Sequence, residues 1–323
     1  MKKIFLSFCF VFFNFALFAS GKGDDFSFEK IEKKYPSSSY IWALGQGASL
    51  ENAASSAKLS VCQTLGESLR GEQKTTSFSD SRGKEESSLS TSVEEAVLFE
   101  HITGIVIKET WRADKGNGDW IALAVLDKKE AADYYSKLAM QKNSEISSLV
   151  LRAEEIYPSF DSLSLLSDAL LKAQDNQYNL DLLLVLNRTK HAMTRMSYGS
   201  VQKLNLLYRE KAAGISVSVN VEDDSEGLIY SALVEKLKEK GVSVVNSNAQ
   251  YEINAVVKLE EQDSLDSKNF YARYSFFAPL TMENSTVVKP FSITGREGHI
   301  SLEQAYRRCY IKIASRIKDE FLR

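Results

Sequence analysis

The feature that most constrains this chain is a short pattern that occurs twice, 252 residues apart. Ser49-Leu50-Glu51-Asn52-Ala53 returns as Ser301-Leu302-Glu303-Gln304-Ala305, each time shortly after a β-type run that ends in glycines. With that shift, Ala53, Ala57, Val61, Leu65 and Leu69 fall on Ala305, Cys309, Ile313, Ile317 and Phe321. A spacing of four places each set on one helical face. The serine that opens each copy suits a helix N-cap, and the acid that follows suits the positive end of the helix dipole. Small residues early and large ones late let a helix start close to a sheet. Both copies therefore predict a strand, a glycine loop and a capped helix packed on a sheet. A pattern this short also recurs by chance, so duplication stays open.

The amino terminus reads as a targeting segment. Lys2 and Lys3 precede an apolar run from Ile4 to Phe18, and the small residues Ala19-Ser20-Gly21 fit a cleavage site. The run is shorter than the ~20 residues a bilayer-spanning helix needs. Residues 1–21 are thus expected to be a signal peptide, with no transmembrane segment in the mature chain. Residues 22–38 mix charge with Gly, Ser and Pro and predict a tether. After it, Tyr40 to Leu44 predicts a strand closed by Gly45-Gln46-Gly47 in a tight turn, then the helix from Ser49. Thr75 to Ser92 is dense in polar residues, and order is expected again from Val93 to His101. Gly104 to Trp111 and Trp120 to Leu126 flank Asp114 to Asp119, which has the chemistry of a hairpin turn. Trp111 and Trp120 are expected to sit across the hairpin neck from each other.

Asp127 is a candidate cap for a helical stretch that runs to about Ala213, interrupted at Pro158, at Asp175-Asn176-Gln177 and at Ser197 to Ser200. From Ile215 the alternation of Ile215, Val217, Val219 and Val221 predicts a half-buried strand. A helix closing at Gly241 and further strands over 242–246, 251–259, 270–277 and 286–294 follow, before the helix at Ser301. The fold class expected is α+β: two small α/β sandwich domains of strand-helix-hairpin-helix type, at 39–142 and 214–323, joined by a helical hairpin or bundle segment at 143–213.

Tyr40 to Gly47, Ser49 to Ala53 with Ala57, Gly104 to Trp111 and Trp120 to Lys128 together resemble the LPP-twenty-type domain of bacterial envelope lipoproteins. The flagellar H-ring assembly family FlgT has a similar amino-terminal domain. The likeness covers about Tyr40 to Met140. Residues from Ile215 onward are similar in element order to the FlgT middle domain and the TolB amino-terminal domain. Two departures stand out: no lipid-bearing Cys follows the small residues at 19–21, and the helical stretch is foreign to the FlgT pattern. The resemblance implies an exported location, no catalytic site and a role in envelope or flagellar assembly.

Little in the residues asks for catalysis. Gly45-Gln46-Gly47 has Leu50 where a dinucleotide loop needs its third glycine. His101, His191 and His299 lie far apart and outside any metal-binding spacing. A formal charge of -3 and a pI near 5.8 provide no basic footing for nucleic acid. Cys62 and Cys309 fall on apolar helical faces, so pairing in an oxidising compartment and burial as small hydrophobes both stay open. No enzyme activity, cofactor or metal is therefore expected. The expectation is a periplasmic or outer-envelope accessory protein that docks envelope or flagellar basal-body proteins, with peripheral membrane association allowed. Trp111 and Trp120 are the candidate partner-binding residues, beside Thr75 to Ser92. The alternative is a periplasmic small-ligand or glycan-binding protein that uses a cleft between the α/β parts.

Overall fold

The computed structural model describes residues 27–79, 102–113, 118–224, 226–262, 269–282 and 286–322, with only the helix path given for 71–79. The expected signal peptide, the stretch Val93 to His101 and Asp80 to Ser92 lie outside the described residues. The rest is an α+β fold in two compact units. Residues up to Met140 with Tyr178–Arg195 form unit 1, and Gln141–Gln177 with the chain from Met196 form unit 2.

In unit 1, α1 (Phe28–Lys34) leads into β1 (Tyr40–Gly47) and α2 (Leu50–Ser79), and then β2 (Val106–Arg112) and β3 (Trp120–Asp127) form a hairpin. The sheet has the order β1-β3-β2 and is antiparallel throughout. Ser49 caps α2 by accepting from the Asn52 N–H at 3.2 Å. Ala53, Ala57, Val61, Leu65 and Leu69 are all buried and pack on Ala122, Ala124 and Leu126 of β3. Gly45 and Gly47 belong to β1 itself and not to a turn, and neither has a positive φ. Their role is space: a Cβ at Gly45 would stand 2.0 Å from the Ala57 backbone N, and one at Gly47 would stand 2.6 Å from the Ala53 N. Helix α2 thus rests its backbone directly on the strand.

The expected tether at 22–38 is in part folded structure. Ser27 caps α1 by accepting from the Lys30 N–H at 3.1 Å. Ile31 is buried against Leu123 and Val125 of β3, which is what holds so short a helix on the sheet.

The long helices α3 (Lys128–Glu155) and α4 (Phe160–Leu186) follow, then α5 (Arg188–Met193) and α6 (Val201–Ala213). Asp127 caps α3 by accepting from the Lys129 and Glu130 N–H groups at 2.8 and 3.0 Å. The break expected at Asp175-Asn176-Gln177 is absent, and α4 runs straight through it. Asn176 is fully buried and its side-chain amide donates to Tyr198 Oη at 3.3 Å. A tertiary partner has replaced the local backbone bond by which Asn usually favours turns.

Unit 2 adds β4 (Ser216–Glu222), α7 (Leu228–Glu239), β5 (Ser243–Val244), β6 (Tyr251–Gln262), β7 (Phe270–Phe277), β8 (Leu280–Met282), β9 (Val287–Lys289), β10 (Ser292–His299) and α8 (Leu302–Glu320). The main path of the sheet is β10-β7-β6-β4-β5, with β8 on β6 and β9 on β8. One sheet face, with Val217, Ile253, Ala255, Ala272, Phe276 and Ile293, packs in one core with Ile229, Leu233 and Leu237 of α7 and with α8. The single strand expected over 286–294 is divided into β9 and β10 around Pro290, which has no N–H for a ladder. The second copy of the repeat is buried as fully as the first: Ala305, Cys309, Ile313, Ile317 and Phe321 all lie in this core. Its glycines work differently. Gly295 and Gly298 face Tyr274 and Tyr271 across the β10–β7 ladder, and a Cβ on either would stand 2.3 and 2.6 Å from those side chains.

Cys62 and Cys309 are free and buried. Burial pushes both thiols up, that of Cys309 to about 11 from the ordinary 9.0. The folded Cys309 stays protonated while the unfolded chain ionises, so its contribution to stability is complete below pH 9.0 and is lost between there and about 11. Neither cysteine should react with a thiol reagent in the native protein at pH 8, and both should react after denaturation. Rapid labelling of the native protein would show that the burial is wrong. In a denaturation series, Cys309→Ala should flatten the loss of stability between pH 9 and 11.

Candidate functional site

Strand β3 has two buried faces, and unit 1 is organised around them. Ala122, Ala124 and Leu126 point toward α2, whereas Leu123 and Val125 point toward α1. The second face is rich in rings. Tyr35, Tyr40, Trp42, Leu44 and Trp111 pack partly buried around Ile31, Leu123 and Val125. Phe28 stands 6.1 Å from Trp42, ring to ring, and is 52% exposed. Tyr35 meets Tyr40 edge to face at 5.5 Å.

Polar contacts fix α1 over these rings. Glu32 accepts from the Ser37 N–H at 2.7 Å and from Trp42 Nε1 at 3.3 Å. The Ser37 backbone bond is the main reason its carboxyl is held below the usual range. Lys34 Nζ lies 2.5 Å from Glu109 Oε1 on β2. That exposed pair orients the helix more than it stabilises it.

Trp111 and Trp120 are not brought together. Strand β2 carries a bulge between Ile107 and Glu109: Ile107 pairs with Ala124, but Glu109 pairs with Leu123. The extra residue, Lys108, moves the rest of the strand by one position. Trp111 therefore pairs with Ile121, and it is Arg112 that lies opposite Trp120. A one-residue slip exchanges the faces of a strand. Trp111 joins the ring face under α1, while Trp120 packs toward α2 with the Arg112 guanidinium over its indole at 5.1 Å. The ring face has two members that the sequence reading passed over, Phe28 and Trp42. The signal available was the spacing of Phe28, Ile31 and Tyr35, one side of a short helix. Of Thr75 to Ser92, residues 75–79 are the last turn of α2.

Unit 2 contains a cavity of 210 Å³ beside the start of α4. Phe160, Leu163 and Leu322 provide apolar lining, and Asp168, Lys240 and Lys289 are the charged residues of the wall. Tyr208 closes one side by donating to the Lys240 carbonyl at 3.2 Å. Among the described residues no group of three or more His, Cys, Asp or Glu side chains is placed to hold a metal ion.

These features define an α+β protein with a two-sided antiparallel sheet in unit 1 and a larger mixed sheet with one helix-covered face in unit 2. No family model matches the chain, and no curated protein matches it. Solved structures do. The secreted protein HP1454 from Helicobacter pylori is 13% identical, covering 86% of this chain and 96% of its own, with a TM-score of 0.42. A minor lipoprotein from Acinetobacter baumannii is 13% identical over 33% of this chain and 90% of its own, with a TM-score of 0.28. A putative lipoprotein from Caulobacter crescentus CB15 is 14% identical over 33% of this chain and 87% of its own, with a TM-score of 0.25. All three are bacterial proteins, one described as secreted and two as lipoproteins.

Proposed function

We propose that this protein is an exported, non-enzymatic accessory of the bacterial envelope that works by docking other envelope proteins through the ring face of unit 1. The observation that carries the reading is Phe28, a large ring left 52% exposed on a seven-residue helix, next to Trp42. Aromatic residues dominate the energetics of protein interfaces, and a short helix leaves such a face reachable. The face offers rings and aliphatic carbon, which suits docking and not bond chemistry. Export is supported by the basic and apolar pattern of residues 2–18. No described helix is long and apolar enough to cross a membrane, so any membrane association through those helices would be peripheral. Flagellar basal-body proteins are the partners the family resemblance suggests.

The test is in-cell cross-linking and affinity purification of wild type against Phe28→Ala. The variant should recover at least ~10-fold less of the partner, in line with loss of an aromatic anchor, while its melting temperature stays at the wild-type value. Equal recovery would overturn the docking face. Basal-body components among the lost partners would favour flagellar assembly, and other envelope proteins would favour a general envelope role.

A second reading, capture of a small ligand, draws on the unit 2 cavity with its apolar lining and two lysines. Ligand-dependent rises in melting temperature that are lost on changing Lys240 and Lys289 would favour it.

A further inference from the structure

An unpaired strand edge invites another strand, and proteins blunt such edges with charge, bulges, short length or a cover. The described sheets use each of these devices except at one edge. Strand β2 carries the bulge at Lys108 and has three charged residues, Lys108, Glu109 and Arg112, among its seven. Strand β5 is two residues long and β9 is three.

Strand β10 is eight residues long, but α8 covers it. The Ala278 N–H donates to the Phe291 carbonyl, so 293, 295 and 297 face β7, and the backbone of 292, 294, 296 and 298 faces outward. Two of those outward carbonyls are taken by arginines of α8. Arg308 donates to Gly298 at 3.0 Å and Arg316 donates to Thr294 at 3.4 Å.

Among the described residues, strand β1 has none of these protections. It is eight residues long, carries no charged side chain, and lies at the end of its sheet. The Lys128 N–H donates to the Ser39 carbonyl, so 41, 43, 45 and 47 exchange bonds with β3 and the even positions face outward. Among the described residues, the backbone N–H and C=O groups of Trp42, Leu44 and Gln46 have no hydrogen-bond partner.

We infer that this edge pairs with the β1 edge of a second copy of the chain, antiparallel about a two-fold axis, to make a continuous six-stranded sheet. The strand itself is the argument for that occupant. A two-fold axis perpendicular to the sheet keeps each face on its own side, so Tyr40, Trp42 and Leu44 of one copy continue the ring face of the other. With no charge on either strand, self-pairing brings no like charges together. The inference goes beyond the docking reading, since Phe28 lies on the face and not on the edge.

The full mature chain should sediment as a dimer at micromolar concentration. In hydrogen exchange, the amides of Trp42, Leu44 and Gln46 should gain protection as concentration rises. Gln46→Pro removes one outward backbone donor and no backbone bond to β3, and it also loses the side-chain bond from Gln46 Nε2 to Asp119 Oδ2 at 2.8 Å, which Gln46→Ala removes alone. The proline variant, and not the alanine one, should weaken association at least tenfold while the tryptophan-detected melt is retained. Three results would overturn the inference: a wild type that stays monomeric at 200 µM-scale concentrations, roughly a hundredfold above the expected dissociation range; a dimer whose three amides stay unprotected; or protection that needs an added envelope extract, which would make the occupant a foreign strand. Phe28→Ala should leave the dimer intact, so failure here and failure of the docking face can be told apart.

Discussion

Gly45→Ala is expected to lower the stability of unit 1 by at least about 3 kcal/mol, at the severe end of overpacking effects. The added Cβ would meet the Ala57 N at 2.0 Å, the Ala53 carbonyl at 2.5 Å and the Ala57 Cα at 2.6 Å. All three are backbone atoms of α2, so no side chain can rotate away. Either the helix lifts off the strand or the strand bends, and both expose the core that Ala53, Ala57, Val61 and Leu65 share with β3. All three tryptophans, Trp42, Trp111 and Trp120, lie in unit 1, which makes their fluorescence a direct report on it. A fall of roughly 6 °C or more in the tryptophan-detected midpoint is expected. A midpoint within about 2 °C of wild type, a stability change under ~1 kcal/mol, would mean that the helix does not rest on the strand.

Phe276→Ala should do comparable damage to unit 2. Phe276 on β7 is 1% exposed, its ring lies 6.1 Å from Phe291, and Phe291 in turn meets Phe321 at 5.2 Å. Truncation removes one buried end of a packed row of rings and leaves a cavity, which costs about 3–5 kcal/mol for a buried phenylalanine. Unit 2 has no tryptophan, so the readout is the far-ultraviolet circular dichroism melt. Its midpoint should fall by roughly 6–20 °C. An unchanged far-ultraviolet melt would show that the row of rings is not the core of the unit.

Much of the fold was legible because the physics involved is local. The spacing of four in 53–69 and 305–321 specifies a face whatever lies opposite it, and all ten positions are buried. Ser49, Asp127 and Ser301 bond to N–H groups two or three residues away, so the sequence contains both partners of each cap. Gly241 closes α7 with a positive φ of 77° and a bond from the Val242 N–H to the Leu237 carbonyl, again within one turn. Less of the candidate site could be read this way. Phe28 and Trp42 form a surface only because Ile31 anchors α1 across β3.

The residue types alone determined that helices would start at Ser49 and Ser301, which side of each would be buried, and that an α+β sheet protein would result. Tertiary structure decided the rest, wherever the partner atoms are distant in the chain. Asn176 continues a helix because Tyr198 takes its amide. Gly45 yields to a helix backbone while Gly295 yields to a tyrosine ring, although both are glycines in the strand that precedes a capped helix. One bulge at Lys108 decides whether Trp111 faces α1 or lies opposite Trp120. Alternation fixes which residues share a face only while the register is unbroken, and a bulge depends on how two strands fit together, which neither strand encodes by itself.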